Sequence, residues 1–258
     1  MTDRVIVITG ASAGIGAALA EIAAGKGARL VLVARRKEAL AEVARPIGGE
    51  SLTVVADVTH REEVEGVVKA ALQRFGRIDV WVNNAGRGIT RLVSELTDAD
   101  IDDMMSINVK SVLYGMQAVL PHFRERGAGH IINISSMLSR VPLAPFRSAY
   151  SAAKHAMNAL TANLRMELRA THPGIHVTVV HPGIVATDFG INALHGGPDS
   201  RQLPNVQTAH EVAAVIADVV ENPRADVYTR PGARQMVAAY YAAEDMAAVE
   251  QAPPFAPR

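Results

Sequence analysis

Tyr150 and Lys154 stand four residues apart in SAYSAAKHAM (148–157), with only small residues between them. Positions i and i+4 share one face of a helix, a turn apart. An ammonium so placed favours the phenolate and lowers a phenol pKa that is about 10 when unperturbed. A tyrosine tuned in this way can donate or accept a proton near neutral pH. Such a pair also arises by chance on many helices. Its meaning therefore depends on the elements that carry it and on what they bring beside it.

A second stretch with chemical content is TGASAGIG (9–16), a glycine-rich turn between an apolar run and a helical pattern. Glycines at 10, 14 and 16 let the chain turn sharply and let a pyrophosphate approach a helix N-terminus. Exposed N–H groups and the helix dipole attract anions there. Further on, a strand-like run ends at Ala34, Arg35 and Arg36. An acidic residue at that point suits the 2′-hydroxyl of NAD, whereas arginine suits a 2′-phosphate.

The elements that must position these residues read clearly. Short apolar runs at 4–10, 28–35, 51–58, 78–86, 130–136, 175–183 and 226–230 predict strands buried on both faces, as in a parallel sheet. Helical patterns at 15–27, 37–45, 61–75, 98–126, 150–170 and 209–220 lie between them. The alternation predicts an α/β fold, a doubly wound, mainly seven-stranded parallel sheet with helices on both faces. No linker or repeat interrupts it, so residues 1–258 are expected to form one domain. Residues 186–205 have mixed polarity, two adjacent glycines and two prolines, and read as a mobile excursion. The last eight residues, QAPPFAPR, read as a frayed tail.

Composition removes several classes of function. The 26 basic and 26 acidic residues balance and form no basic stripe, which argues against a nucleic-acid partner. Cysteine is absent, which rules out disulfides and Cys-ligated metals and suits the cytoplasm. No His/Asp/Glu cluster has metal-ligand spacing, so no metal is expected. The first apolar run stops at a glycine after four residues, and no stretch is long enough to span a bilayer. Neither a signal peptide nor a membrane association is expected. His181 and the methionines at 104, 105 and 116 read as packing.

In order, the chain shows TGASAGIG (9–16), ADV (56–58), NNAG (83–86), Asn108 within a helical pattern, ISS (134–136), YSAAK (150–154) and PGIVAT (182–187). In this order it resembles the short-chain dehydrogenase/reductase family, in its common form of about 250 residues, over residues 4 to about 229. The resemblance implies a Rossmann-type fold and hydride transfer between a nicotinamide cofactor and a carbonyl/alcohol pair. Tyr150 would be the general acid, and Lys154 would lower its pKa and hold the nicotinamide ribose. Ser136 would polarise the substrate oxygen, and Asn108 would hold a water that relays protons to Lys154. Gly10, Ser12, Gly14, Ile15 and Gly16 would cradle the pyrophosphate, while Asp57 and Val58 would contact the adenine. Asn84, Ala85 and Gly86 would border the cofactor, and Pro182, Gly183 and Thr187 would shape the carboxamide pocket. Arg35 and Arg36 point to NADP(H), and the expected activity is that of a carbonyl reductase. An NAD-linked alcohol dehydrogenase and a non-catalytic dinucleotide sensor are the alternatives.

The chain departs from the family pattern in two places. Residue 139 is Ser where the family often has Gly, and the gap from Ser136 to Tyr150 is one residue longer than usual. That spacing leaves Ser135 as an alternative to Ser136. Arg87 and Arg147 lie near the site in sequence and are candidates to meet an acidic substrate, against the ordinary reading of an exposed arginine as simply solvated. Residues 186–205 are expected to close over the substrate. Small and apolar residues around the helices near 109–123 and 150–168 predict assembly, a homotetramer by the resemblance, with a dimer as the alternative.

Overall fold

A computed structural model describes residues 1–47 and 50–255. Seven strands form one sheet among these residues: β1 (Val5–Thr9), β2 (Arg29–Ala34), β3 (Ser51–Val55), β4 (Val80–Asn83), β5 (Gly129–Ile134), β6 (Ile175–His181) and β7 (Asp226–Tyr228). Their order is β3-β2-β1-β4-β5-β6-β7, and every pairing is parallel. The direction of winding reverses between β1 and β4, so a crevice opens at the carboxyl ends of those two strands.

Alternation within the strands divides the core into two layers. Ile6, Ile8, Leu30, Leu32, Val82, Ile132 and Val180 face α1 (Gly14–Gly25), α2 (Lys37–Ala44) and α7 (Ala209–Glu221). Val5, Val7, Val31, Val33, Trp81, Ile131 and Val179 face α3 (Arg61–Phe75), α5 (Ser111–Arg126) and α6 (Ser148–Thr171). Each fully buried Ile, Leu or Val side chain contributes about 1.5–3 kcal/mol. The parallel strands therefore hold the crevice rigidly.

The structure differs from the sequence reading in four respects. β3 is half-exposed, with Val55 53% accessible, because it is an edge strand with no neighbour beyond it. The single helix expected over 98–126 is three segments: α4 (Asp98–Met105), a π-helical turn (Ser106–Lys110) and α5. α4 starts at a capping box in which Thr97 and Asp100 satisfy each other's backbone N–H groups. Two helices were not anticipated, α8 (Ala233–Tyr241) and α9 (Met246–Glu250). Nor is the tail frayed through residue 255: the Phe255 ring lies 5.1 Å from that of Tyr240. Residues 256–258 of that tail lie outside the described residues.

Candidate active site

The glycine turn follows from the packing of β1 against α1. Gly14 has φ +56°, in the left-handed region, and a Cβ on Gly16 would collide with the Gly10 carbonyl oxygen. Ala13 supplies no side-chain cap to α1, and the first turn holds no acid. The leading N–H groups of that helix therefore present a positive end suited to phosphate. Asn84 at the end of β4 fastens the turn, its Nδ2 donating to the Thr9 carbonyl at 2.9 Å and the Gly10 carbonyl at 3.2 Å. Thr9 was not singled out in the sequence. Its Oγ1 accepts from Asn84 N at 3.0 Å and Ala85 N at 3.1 Å, stitching β1 to β4.

At the end of β2 the two arginines take different partners. Arg35 lies exposed with Nη1 3.6 Å from Asp57 Oδ2. Arg36 reaches back to the glycine turn and donates to Ser12 Oγ at 3.3 Å. Asp57 also closes a turn, accepting from Thr59 N at 2.9 Å and Thr59 Oγ1 at 2.7 Å. Val58 is buried in the second core layer. These residues, Ile15 and the Asn84–Ala85–Gly86 stretch all line one cavity of about 2240 Å³.

On the other side of the crevice, α6 carries Tyr150 and Lys154, both buried. Burial pushes the Tyr150 phenol up to about 12, against opposing effects of the Ser136 hydroxyl and the Arg147 guanidinium. Burial alone lowers Lys154 to about 8. Its Nζ donates to the Ile134 carbonyl at 2.9 Å and lies 5.8 Å from the Tyr150 ring centroid. Arg147 adds a second cation whose charge opposes the effect of burial on the phenol. Its signal in the sequence was its place just before the helix, one turn from Tyr150.

The two serines of the ISS motif are used differently. Ser135 Oγ is hydrogen-bonded to Ser139 Oγ at 2.9 Å and donates to Asn158 Oδ1 at 2.7 Å. Ser136 Oγ accepts from Leu138 N at 3.1 Å and acts on the Tyr150 phenol. Behind them His181 is fully buried, 2.7 Å from Asp226 Oδ1 and 3.2 Å from Ser139 Oγ. It stacks on Tyr228 at 4.9 Å, so its place is in the support of the serine turn.

Asn108 sits in the π-helical turn, a feature often found at functional sites. Its Nδ2 donates to the Arg87 carbonyl at 2.9 Å and the Met104 carbonyl at 3.2 Å. A Cβ on Gly86 would stand 3.0 Å from Asn108 Oδ1 and 3.5 Å from Lys154 Nζ, so the three residues converge. Pro182 accepts from Met137 N at 2.8 Å. A Cβ on Gly183 would meet Arg230 Nε at 2.6 Å, and that Nε is buried with no partner among the described residues. Thr187 Cγ2 would lie 3.2 Å from a Cβ on Gly14, so the start of residues 186–205 presses on the glycine turn.

That excursion is fastened at several points. Its base is pinched by Ala186 N donating to Gln207 O at 2.8 Å, and Leu194 N donates to Gly88 O at 2.8 Å. Thr90 Oγ1 donates to Gly196 O at 2.6 Å, and His195 Nε2 lies 2.7 Å from Asp100 Oδ1. The Phe189 ring stands edge-on to Tyr150 at 5.4 Å. Pro253 and Pro254 add a wall from the C-terminal segment.

Fold and site together define an oxidoreductase scaffold of the Rossmann type. The sequence profile of the short chain dehydrogenase family matches residues 4–196. An uncharacterised oxidoreductase of Staphylococcus aureus strain MW2 is 38% identical over 213 residues, 82% of this chain and 90% of that relative. A short-chain dehydrogenase/reductase from Burkholderia phymatum, solved in complex with NAD, superposes with a TM-score of 0.85 at 27% identity over 93% of each chain. An alcohol dehydrogenase from Thermococcus sibiricus, complexed with 5-hydroxy-NADP, gives 0.76 at 31% identity over 87% of this chain and 94% of its own. The chain belongs to the short-chain dehydrogenase family. It is an oxidoreductase of that family, and among its described residues no helix is long and apolar enough to cross a membrane.

Proposed function

We propose that the protein is an NADP(H)-dependent carbonyl reductase that interconverts a ketone or aldehyde and the corresponding alcohol. The observation that carries this reading is the buried Tyr150 phenol, which lines the same cavity wall as Ser136 and Lys154. It shares one cavity with a glycine turn whose leading N–H groups are uncapped.

The residues present fit a dinucleotide. The turn at Gly10, Ser12, Gly14, Ile15 and Gly16 would hold the pyrophosphate; Asp57 and Val58 would border the adenine, and Arg35 and Arg36 would meet a 2′-phosphate. Asn84, Ala85, Gly86, Pro182, Gly183 and Thr187 would enclose the nicotinamide end, with Lys154 on its ribose. When bound, the reduced cofactor supplies the hydride that the carbonyl carbon receives. Ser136 donates a hydrogen bond to the substrate oxygen, and Tyr150 delivers its proton to that oxygen, which becomes the alcohol. Burial keeps Tyr150 protonated and so ready to donate. Lys154 and Asn108, together with a water, return a proton to the phenol. The hydride and this proton account for both hydrogens gained.

The reading extends to a cytoplasmic homotetramer. The outer face of α6 shows Ala152, Ala159 and Met166, the last 73% accessible, and that of α5 shows half-buried Leu113 and Tyr114. Apolar surface of this kind suits burial against a second subunit. The direct test of the activity is a panel of ketones, aldehydes and alcohols, following the nicotinamide absorbance with NADPH and NADH. Turnover that survives unchanged in Tyr150→Phe would place the chemistry elsewhere.

A further inference from the structure

Six arginines line the cavity: Arg35, Arg36, Arg87, Arg147, Arg201 and Arg230. Arg147 alone among them is more than nine-tenths buried, at 7% accessibility. It has no carboxylate within ion-pair distance among the described residues. The acids that line the cavity are engaged elsewhere: Glu21 by His210, Asp57 by Arg35, Asp103 by Arg87 and Asp188 by Arg201. Nη1 donates to the Ile89 carbonyl at 3.1 Å, and the Phe146 ring centroid lies 5.4 Å from the guanidinium carbon. Neither neighbour carries a charge.

The backbone makes room for this group on two sides. A Cβ on Gly88 would lie 3.0 Å from Nη1, and one on Gly197 would lie 3.0 Å from Nη2. The guanidinium is thus held between the loop after β4 and the excursion that covers the site. Arg147 is also the N-cap residue of the 24-residue α6, where the dipole repels a cation. Burial pushes its pKa below the ordinary value. An unpaired, dehydrated guanidinium at a helix N-terminus is unfavourable by itself and becomes favourable when an anion joins it. Tyr150 lies one helical turn away on the same cavity wall.

We infer that Arg147 binds a carboxylate of the substrate, and that the substrate is a short oxo acid, or the hydroxy acid it is reduced to. This rests on the carbonyl-reductase reading above and names its substrate class. Arg147 and Tyr150 stand three positions apart at the start of α6 and line one cavity, which suits a substrate whose carboxylate and carbonyl are separated by few carbons. The carboxylate takes no part in the reaction; it fixes the carbonyl against Ser136 and Tyr150.

The experiment uses 2-, 3- and 4-oxo acids of four or five carbons, each beside its methyl ester. kcat/KM is measured with the reduced dinucleotide, and binding is measured by calorimetry on the cofactor-loaded protein. Hydrogen bonds to a charged partner imply that at least one acid exceeds its ester by about ten- to a hundredfold. Arg147→Gln removes most of that ratio, and Arg147→Lys, which keeps the charge but not the fork, restores part of it. Esters that match or exceed every acid in the wild type, or a ratio unchanged in Arg147→Gln, overturn the inference. If Arg147→Gln does not fold, the wild-type ratio alone decides. Acids that bind through Arg147 but are never reduced leave the anion site standing and remove the reductase reading. Ketones reduced without preference for acids do the reverse.

Discussion

Lys154 donates to the backbone carbonyl of Ile134, the last residue of β5, at 2.9 Å. The ammonium is thereby tied to the sheet, on the strand that leads into the Ser135–Ser136 pair, and both it and Tyr150 are buried. Their pKa values move towards the neutral forms, Lys154 to about 8 and Tyr150 to about 12.

Those two shifts give the stability a definite pH profile. Below pH 8 Lys154 is charged in both states, and the cost of burying the ammonium is fully present. Between about 8 and its ordinary value of 10.5 the unfolded chain holds a proton that the folded chain has lost. Stability therefore rises across that window. The gap corresponds to about 3 kcal/mol at about 1.36 kcal/mol per unit. Tyr150 acts in the opposite sense, lowering stability between its ordinary 10.0 and about 12. Urea midpoints of the apo protein from pH 7 to 10 should rise for the wild type and not for Lys154→Met. Parallel profiles for the two proteins would contradict the burial assigned to the ammonium.

Tyr150→Phe keeps the ring and loses the proton. We expect kcat to fall about 10²- to 10⁴-fold, as for loss of a general acid, with calorimetric binding of the dinucleotide retained. A variant keeping more than about a tenth of the wild-type rate would not be compatible with this role.

Cofactor choice is expected to follow both arginines at the end of β2. Arg36 already reaches Ser12 on the glycine turn, and Arg35 carries a single long ion pair to Asp57. Arg35→Ala and Arg36→Ala should each reduce kcat/KM with NADPH about ten- to a hundredfold and leave the value with NADH nearly unchanged. A wild type that prefers NADH, or variants with unaltered selectivity, would refute the assignment.

The latch between α4 and the excursion can be loosened selectively. Thr97's backbone N–H first, and then His195, hold the Asp100 carboxyl well below the usual range. Asp100→Asn weakens the contact to His195. Hydrogen exchange at the Leu194 and Thr90 amides, which bridge the excursion and the loop after β4 next to this latch, should then quicken about tenfold or more. Unchanged protection would mean that the latch contributes nothing to closure.

Assembly is open to a direct reading. Light scattering at micromolar concentration should report a tetramer for the wild type, and Met166→Glu on the outer face of α6 should shift it towards smaller species. A wild-type monomer would rule out the proposed burial of that face.

Much of this architecture follows from local pattern, because period-2 alternation and glycine turns act over a few residues. The strand at 129–134 and the helix at 148–171 declare themselves through Ile131, Ile132, Ala153 and Met157. What local pattern does not carry is the neighbour. Val55 sits in an apolar run like the others, yet β3 has nothing beyond it and Val55 is exposed. α8 and α9 follow the N-cap residues Gly232 and Asp245, where the apolar spacing is too short to stand out from loop. In the site, the Tyr150–Lys154 spacing was legible, whereas the engagement of Lys154 with Ile134 depends on a strand twenty residues away. Likewise, Ser139, Asn158 and His181 form one buried network only because β5, α6 and β6 meet.

The π-helical turn that holds Asn108 has a consequence of another kind. Each residue added to or taken from an α-helix rotates everything after it by about 100°. The wide turn at Ser106–Lys110 absorbs one such residue, so α4, which lies beside the excursion, and α5, whose Val112, Met116 and Val119 face the sheet, keep their phase. Lys110 is exposed, and its replacement disturbs little there. Removing one residue of the five would let the turn close to ordinary i→i+4 bonding, which leaves the apolar stripe on the sheet but abolishes the bulge that carries Asn108. In this segment the protein is sensitive to number more than to identity.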